Sequence, residues 1–378
     1  MPDGIYLSDM LVGEKRDVSE EMTILAPGAT PFSNSIGTFS SPAKAAALKH
    51  EWIDDARRPM HSTVNGAIAA GILSIVFDDD CFSAGMYLVV DGGEIIYLAA
   101  KTAAKTFTIT RSAGTIAAGA IADGSEVVLS SNPAIEGSAA GDAGWIYDPG
   151  ERYNYCERVE LIVEASDEAN AAQRYARPGT QFDDNAAQKM RHAMIQIEMT
   201  QLTGALRTAP TPSTPTAGQC RGLNEWLLAA GQSTNCGGTD LTQARIRTMV
   251  EAIAPYYEDG ERIPAVLLHQ ISQSFVFDSW EQAHVVVPQN DPAVATYGVN
   301  VKRLRIGPMD IDCIPMGRLS AVQQAVCYKP DLIRPAFYLP LTFEMLSRDG
   351  GRKRGMISAS HTVQVRAPAA GWVFYDVP

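Results

Sequence analysis

The sequence predicts an α+β protein that carries a separate all-β unit. Between residues 72 and 131, short β-branched runs such as MYLVVDG and TFTITR are separated by the turn signals DDD, DGG and DGS. Residues 183–205 repeat apolar side chains about every 3.6 positions, which predicts a helix about 30 Å long. From Ile357 to Val365, apolar and polar side chains alternate, which predicts a long strand with one buried and one solvated face.

The composition limits the function before any motif is considered. The 378 residues are enough for two or three units with cores of their own. The net charge of -12 disfavours nucleic-acid binding as the main activity, because an acidic chain does not neutralise phosphates. The six cysteines form no CxxC pair, so we expect no structural zinc and reduced, intracellular thiols. No signal peptide is visible, and the longest apolar run, GAIAAGILSIVF, is too short to span a bilayer.

The first half of the chain predicts parts that extend from a core. Residues 1–28 have no core pattern and predict an arm that is ordered by packing on another subunit. The run ALKHEWI predicts a strand, and CERVELIVEA at 156–165 alternates as a half-buried strand does. The long helix has Asp183 or Asp184 as its candidate N-cap.

Beyond a Pro/Thr/Gly linker at 207–222, the pattern becomes α/β. DLTQARIRTMVEAIAPYY predicts a helix with Asp240 and Gln243 as a capping box, and QISQSFVFDSW predicts a shorter helix. IPAVLLH, VKRLRIG and MDIDCIP predict strands. SRDGGRKRG, which holds Lys353 and three arginines, is interpreted as a charged turn between a helix and the final strand, in preference to a phosphate contact.

The stretch KHEWIDDARRP is the candidate for chemistry, because His50 lies beside Glu51, Asp54 and Asp55. It lacks the second histidine of an HExxH metal helix. On a strand, His50 and Asp54 share one face while Glu51 and Asp55 share the other, so the carboxylates do not converge. Opposite charges close by in sequence favour salt bridges to a facing surface, and these are Lys49, Arg57 and Arg58.

No other catalytic pattern is present. The sequence has no G-x-S-x-G elbow, no P-loop and no G-x-G-x-x-G. We expect His361 to be a satisfied core histidine on its strand, His192 to lie on the long helix and His269 to end a buried strand, with His61 and His284 in loops. The sequence therefore predicts no catalytic, cofactor or metal site. Its arm, long loop, rod helix and long strand are typical of a protein that forms large interfaces with several partners.

Several stretches occur in a recognisable order. They are ILAPGATPFSNSIG, KHEWIDD followed by RRP, VELIVEA through a long helix ending in E-x-x-x-L-x-G, RGLNEWL, and LIRPAFYLP followed by GMISASHTVQVRAPAAGWVFYDV. Together they resemble the major capsid proteins of tailed bacteriophages with the HK97 fold, and within them the group of the phage SU10 major capsid protein. The resemblance covers about residues 20–378 and is weakest in the β unit.

The resemblance implies a domain plan. Residues 1–35 would be the N-terminal arm, and residues 36–155 the E-loop region. An all-β insertion at about 66–136 would interrupt the E-loop and face the capsid exterior. Residues 156–218 and 330–378 would form the P-domain with its spine helix at about 183–205, and residues 219–329 the A-domain.

The resemblance also implies a structural protein without enzymatic activity or cofactors. Hexamers and pentamers would form an icosahedral or prolate shell around double-stranded DNA, which is enclosed without sequence-specific binding. Portal, scaffolding and decoration or minor capsid proteins would be partners. The protein would act in the virion, with assembly in the host bacterial cytoplasm. No membrane association is expected.

The KHEWIDD stretch would then be an E-loop strand lying across an adjacent subunit. The candidate inter-subunit contacts are Phe32, Lys49, Glu51, Trp52, Asp54, Asp55, Arg57, Arg58, Arg348, Arg352 and Arg354. Three alternatives stay open: an encapsulin-like cellular compartment, another virion part such as a tail component, and an enzyme that uses Glu51, Asp54 or Asp55 with His50.

Overall fold

The computed structural model of the chain describes residues 30–54, 60–133, 150–171, 180–207, 218–257, 262–280, 287–288 and 302–378. The predicted arm at 1–28, most of the linker at 207–222, and Asp55, Arg57, Arg58 and His284 lie outside these ranges. The fold is a mixture of helices and sheets. None of the helices within the described ranges is long and apolar enough to span a membrane.

The helices are α1 (Pro31–Ile36), α2 (Asp167–Ala171), α3 (Gln181–Thr203), α4 (Leu223–Ala229), α5 (Gln243–Ile253), α6 (Ile271–Trp280) and α7 (Leu319–Val322). The strands of the first half are β1 (Ala43–Lys44), β2 (Lys49–Asp54), β3 (His61–Thr63), β4 (Ser74–Val76), β5 (Tyr87–Val90), β6 (Ile95–Ala103), β7 (Thr106–Thr110), β8 (Glu126–Ser131), β9 (Gly150–Tyr155) and β10 (Glu157–Ser166). The strands of the second half are β11 (Ser233–Asn235), β12 (Ile263–His269), β13 (Val287–Pro288), β14 (Lys302–Ile306), β15 (Met309–Pro315), β16 (Gln324–Tyr328), β17 (Ile333–Asp349), β18 (Arg352–Val365) and β19 (Trp372–Tyr375).

A four-stranded sheet in the order β1-β17-β18-β10 supports the long helix α3, which packs on β10 and β18. The predicted strand at 357–365 is confirmed as part of β18, but its predicted solvated face is wrong. Ser360 and Thr362 are buried. The hydroxyl of Thr362 lies 3.7 Å from the sulfur of Cys220, so the segment leading into α4 covers this polar face. A turn at Gly350 and Gly351 joins β17 to β18, so the expectation of a helix before that turn is also wrong.

The long helix is confirmed, but its predicted cap is not. Thr180 is the N-cap, and its hydroxyl accepts the N–H of Asp183 at 3.3 Å. A threonine one turn earlier therefore satisfies a free backbone donor, and the carboxylate of Asp183 bonds the same hydroxyl. The buried face of the helix contains Phe182, Ala193, Ile197 and Leu202, together with two polar residues, Glu198 and Gln201.

A seven-stranded sheet in the order β11-β19-β16-β12-β15-β14-β13 forms a second unit. The predicted helix α5 and strands β12, β14 and β15 are confirmed, but the capping box is wrong. Thr242 caps α5 by accepting the N–H of Arg245, and Asp240 instead accepts from Gln273. The last strand, β19, joins this sheet, so the range 330–378 contributes strands to two sheets.

The predicted all-β unit is confirmed as a six-stranded sheet in the order β3-β8-β5-β6-β7-β4. Its core is made of its own apolar side chains, among them Phe77, Phe107, Leu88 and Ile96. It begins with β3, so His61 lies on a strand and the prediction of a loop there is wrong.

Candidate assembly interface

The KHEWID stretch is strand β2, which pairs with β9 to form a two-stranded ribbon. The predicted alternation of faces holds for the described residues. Trp52 is 7% exposed, whereas its neighbour Ile53 is 70% exposed. Asp54 lies on the inner face with Trp52, and Glu51 lies on the outer face beside Lys49, with which it forms an ion pair.

The inner face of the ribbon is attached to the body of the chain. The ring of Trp52 lies 5.6 Å from that of Trp226 on α4, and the guanidinium of Arg152 lies 5.7 Å from the same ring. Asp54 pairs with Arg152 at 2.9 Å and accepts the backbone N–H of Ala367. Trp52 and Asp54 are therefore used within the chain.

The same geometry argues against a catalytic site formed by His50 and its acidic neighbours. Burial lowers the pKa of His50, and a hydrogen bond with Gln364 opposes that shift. Glu51 and Asp54 point to opposite faces, so they do not face one substrate. In the part of the chain that the structure describes, no group of three or more His, Cys, Asp or Glu residues could hold a metal ion.

The three arginines that flank the β17–β18 turn have acidic partners in the same chain. Arg348 contacts Asp167 at 3.2 Å, and Arg354 contacts Glu164 at 2.7 Å. Arg352 lies 4.0 Å from the same Glu164. This pairing favours the charged turn over a phosphate site, although Arg348 and Arg352 remain largely exposed.

The outer half of β17, residues 338–348, is a strand with several exposed apolar side chains, and we call it the β17 edge. Strand β1 pairs with β17 only at Ala336 and Phe337. Past that point, no strand of the described chain pairs with this side of β17. The exposed apolar side chains are Tyr338, Leu339, Phe343 and Met345, and Met345 is 55% exposed. Sequence reasoning noted the run LIRPAFYLP but did not predict that so much of β17 would be uncovered.

A second feature that the sequence did not predict is the junction segment, Thr30–Gly37. Phe32 is fully buried, with its ring 5.4 Å from that of Tyr328. Glu198 of α3 accepts the backbone N–H groups of Phe32 at 2.8 Å and Ser33 at 3.2 Å through Oε1. Its Oε2 lies 3.3 Å from Arg318. The sequence feature that could have indicated this contact is the motif E-x-x-x-L-x-G, because its glutamate is Glu198. In this chain the motif is Glu198-Met199-Thr200-Gln201-Leu202-Thr203-Gly204.

Burial dominates the electrostatics at the junction. It raises the pKa of Glu198 to about 7, although both N–H donors and Arg318 favour the charged form. Burial also raises the pKa of the Tyr328 hydroxyl, which lies 2.6 Å from Ser35 Oγ.

The predicted contact residues therefore divide into three groups. Lys49, Glu51, Arg348 and Arg352 are exposed, and Arg354 is partly exposed. Phe32, Trp52 and Asp54 face the interior of their own chain. Asp55, Arg57 and Arg58 lie outside the described residues. An inter-subunit role for any of them stays a prediction.

A family model described as SU10 major capsid protein matches residues 7–378. Among solved structures, Mycobacterium phage Bobi matches with 10% identity and a TM-score of 0.49, covering 99% of each chain. The capsid of Myoviridae phage XM1 matches with 11% identity and a TM-score of 0.44, covering 98% of this chain and 99% of that one. The SrpI encapsulin of Synechococcus elongatus matches with 12% identity and a TM-score of 0.43, covering 62% and 77%. No curated protein matches, and with TM-scores below 0.5 no conclusion rests on the structural likenesses.

Proposed function

This chain belongs to the SU10 major capsid protein family, and from that premise we propose that it forms hexamers and pentamers of a shell around the double-stranded DNA of a tailed phage. Membership of the family makes it a structural protein of the virion that associates with copies of itself, and not an enzyme.

The β17 edge carries this proposal. A strand whose backbone groups and apolar side chains are both exposed is a template for pairing with another chain, and stable proteins normally cover such edges. Here the exposed stretch runs for eleven residues, from Tyr338 to Arg348. A neighbouring subunit that covers it would remove apolar surface from water and satisfy the unpaired backbone groups.

The arrangement of the sheets supports the HK97-type domain plan that forms part of this proposal. The four-stranded sheet with α3 would be the P-domain, and the seven-stranded sheet the A-domain. The β2–β9 ribbon would be the stem of the E-loop, because the all-β unit lies between these two strands in the sequence. The outer face of the ribbon, with Lys49 and Glu51, would lie across an adjacent subunit, and the all-β unit would face outward.

The acidic charge suits a DNA container. At a net charge of -12, an inner wall would repel the genome and let it slide during packaging. Tight DNA binding by purified shells at physiological salt would contradict this part of the proposal. Portal, scaffolding and decoration or minor capsid proteins are the expected partners, and the host cytoplasm is the expected place of assembly.

Negative-stain electron microscopy of the purified protein, with light scattering on the same sample, tests the proposal. We expect closed shells tens of nanometres wide, with six-fold and five-fold capsomers. Shells that hold a cargo enzyme instead of DNA would favour the compartment alternative, and tubes or rings would favour another virion part. A uniform particle of a few subunits, stable across salt and concentration, would contradict shell formation.

A further inference from the structure

Glu198 holds the junction segment in a way that differs from an ordinary surface ion pair. Its carboxylate is fully buried on α3, and it receives the N–H groups of Phe32 and Ser33, which start α1. These two donors would have no intrahelical partner, because the first turn of a helix leaves its N–H groups free. One side chain thus joins the rod helix to the junction segment, which residues 1–29 precede in the sequence.

Few charges face this carboxylate. Arg318, from the turn before α7, contacts Oε2 at 3.3 Å and is partly exposed to solvent, which screens its charge. Tyr328 of β16 is also close to this site, and its hydroxyl forms a hydrogen bond with the hydroxyl of Ser35. Gln201, the other buried polar residue of α3, is neutral and accepts from Thr38. Among the described residues, Arg318 is the charged group that acts on the pKa of Glu198.

We propose that Glu198 is a proton-dependent positioning residue that holds the junction segment against α3 more strongly when its carboxyl group is neutral than when it is charged. A neutral carboxyl can still accept both N–H groups through its carbonyl oxygen, so protonation keeps the contact and removes the cost of a buried charge. Opening the junction lets the charged carboxylate reach water. Closing is therefore coupled to proton uptake.

The consequence for assembly rests on the proposed function, in which residues 1–35 are the arm. Residues 1–29 directly precede the junction segment in the sequence, so closure of the junction would fix where that arm begins. A proton-coupled junction would make the presentation of that arm to a neighbour depend on pH, with the closed form favoured in mild acid.

The direction of the pH dependence of closure follows from proton linkage. The pKa of Glu198 is near its ordinary value of 4.5 when the junction is open and about 7 when it is closed. Closure is therefore fully stabilised below 4.5 and loses stability as pH rises to 7, by up to about tenfold in the closing constant per pH unit. Above 7 the constant levels off.

Amide hydrogen exchange of the full chain, read from peptides spanning residues 30–40 and corrected for the intrinsic pH dependence, tests this between pH 4.5 and 8.5. We expect protection of these peptides to fall through the window in the wild type. Glu198→Gln, which keeps an acceptor but cannot ionise, should stay protected with a flat profile. Arg318→Gln, which removes a favourable positive charge, should move the loss of protection to higher pH.

The matched control is Glu160→Gln on β10, an exposed carboxylate paired with Arg158, and it should reproduce the wild-type profile. A flat wild-type profile, or a Glu198→Gln profile that follows the wild type, would overturn the inference, and the wild-type result does not depend on any variant folding. Electron microscopy of the same samples separates the two proposals. Shells with a flat profile would overturn only the role of Glu198, and a sloped profile without shells would overturn only the proposed function.

Discussion

Both carboxylate oxygens of Asp54 accept the backbone N–H of Ala367, at 3.1 and 3.0 Å, across 313 residues of sequence. Asp54 ends strand β2, and Ala367 follows β18 in a left-handed conformation with φ of 42°. Arg152 completes the site by pairing with the same carboxylate at 2.9 Å. The contact ties the base of the β2–β9 ribbon to the end of the longest hairpin.

We expect Asp54→Ala to lower the free energy of unfolding by about 2–3 kcal/mol, because it leaves a half-buried N–H and a guanidinium without their charged acceptor. Urea denaturation of the unassembled protein measures this. The matched control is Glu51→Ala on the outer face of the same strand, whose exposed pair with Lys49 should contribute less than about 1 kcal/mol. Equal effects of the two substitutions would contradict a structural role for Asp54.

The glycine that ends the family motif has an equally specific role. Gly204 follows α3, and the N–H of Gly222 donates to its carbonyl at 2.7 Å, so the two backbones cross closely. A Cβ on Gly204 would lie 2.3 Å from the carbonyl oxygen of Cys220 and 2.5 Å from that of Thr200. Both obstacles are backbone atoms, which cannot rotate away.

Gly204→Ala should therefore destabilise the protein by about 3 kcal/mol through forced displacement of the backbone. Thermal unfolding of the unassembled protein is the measurement. Gly71→Ala is the control, since a Cβ there meets nothing within 4 Å and its φ is outside the left-handed region. It should be neutral or slightly stabilising. An unchanged melting temperature for Gly204→Ala would refute the close crossing.

Periodicity was sufficient to predict those elements whose pattern is local. The 3.6-residue repeat gave α3, and the short β-branched runs gave the six-stranded unit. It failed where a distant segment decides burial. The alternation in β18 is real, yet Thr362 is buried because Cys220 packs on the face that the pattern marks as solvated. Such a contact between remote segments leaves no periodic signal.

The same limit applies to the candidate interface. Strand parity correctly separated Glu51 from Asp54, because it depends only on neighbouring residues. It could not predict that Trp52 packs on Trp226, or that Glu198 meets the N-terminus of α1. The exposure of the β17 edge is a consequence of the order of strands in the sheet, which strand parity does not predict.

The β unit contains a buried ion pair that we expect to hold its loops. Arg111 donates to both oxygens of Glu94 at 2.7 Å, and Glu94 also accepts the N–H groups of Ser112 and Gly119. Arg111→Ala would leave a buried carboxylate without its charged partner, at a cost of about 3–5 kcal/mol. We expect hydrogen exchange to rise across residues 67–121, while the seven-stranded sheet keeps its protection.

Lys101→Ala is the comparison for this pair, because Lys101 bonds Asp80 at 2.6 Å on the surface of the same unit. Exposed pairs of this kind contribute about 0–1 kcal/mol, so exchange should barely change. If Arg111→Ala left residues 67–121 as protected as Lys101→Ala does, the pair would not be what holds the loops.

Leu339→Asp tests the β17 edge as a subunit contact. Leu339 is 44% exposed, so a charge there costs little in the isolated fold, but it would be buried without a partner under a neighbouring chain. We expect folded protein, with an unchanged circular dichroism spectrum, that no longer forms shells in electron micrographs.

Leu73→Asp introduces the same charge at a leucine that is 58% exposed in the β unit, which faces outward in the proposed shell. It should assemble as the wild type does. Normal shells from Leu339→Asp would show that the β17 edge is not covered in the assembly. Loss of shells from both variants would place the β unit in a contact as well.

His361 should make the fold sensitive to acid. It is fully buried on β18 beside Phe337, neither ring nitrogen has a hydrogen-bond partner among the described residues, and burial lowers its pKa to about 3. The neutral ring is favoured in the native state, so the associated stability is complete above pH 6.5 and is lost as pH falls from 6.5 towards 3, by up to about 1.4 kcal/mol per pH unit.

His361→Leu has a side chain of similar volume that cannot take up a proton, so its urea midpoint should fall less between pH 6.5 and 4.5 than that of the wild type. Glu198 acts in the opposite direction over part of this range, because its raised pKa favours the native state in acid. The difference between variant and wild type removes that contribution, which both proteins share. His192→Leu, at an exposed position of α3, should parallel the wild type. Parallel curves for His361→Leu and the wild type would mean that another group sets the acid sensitivity.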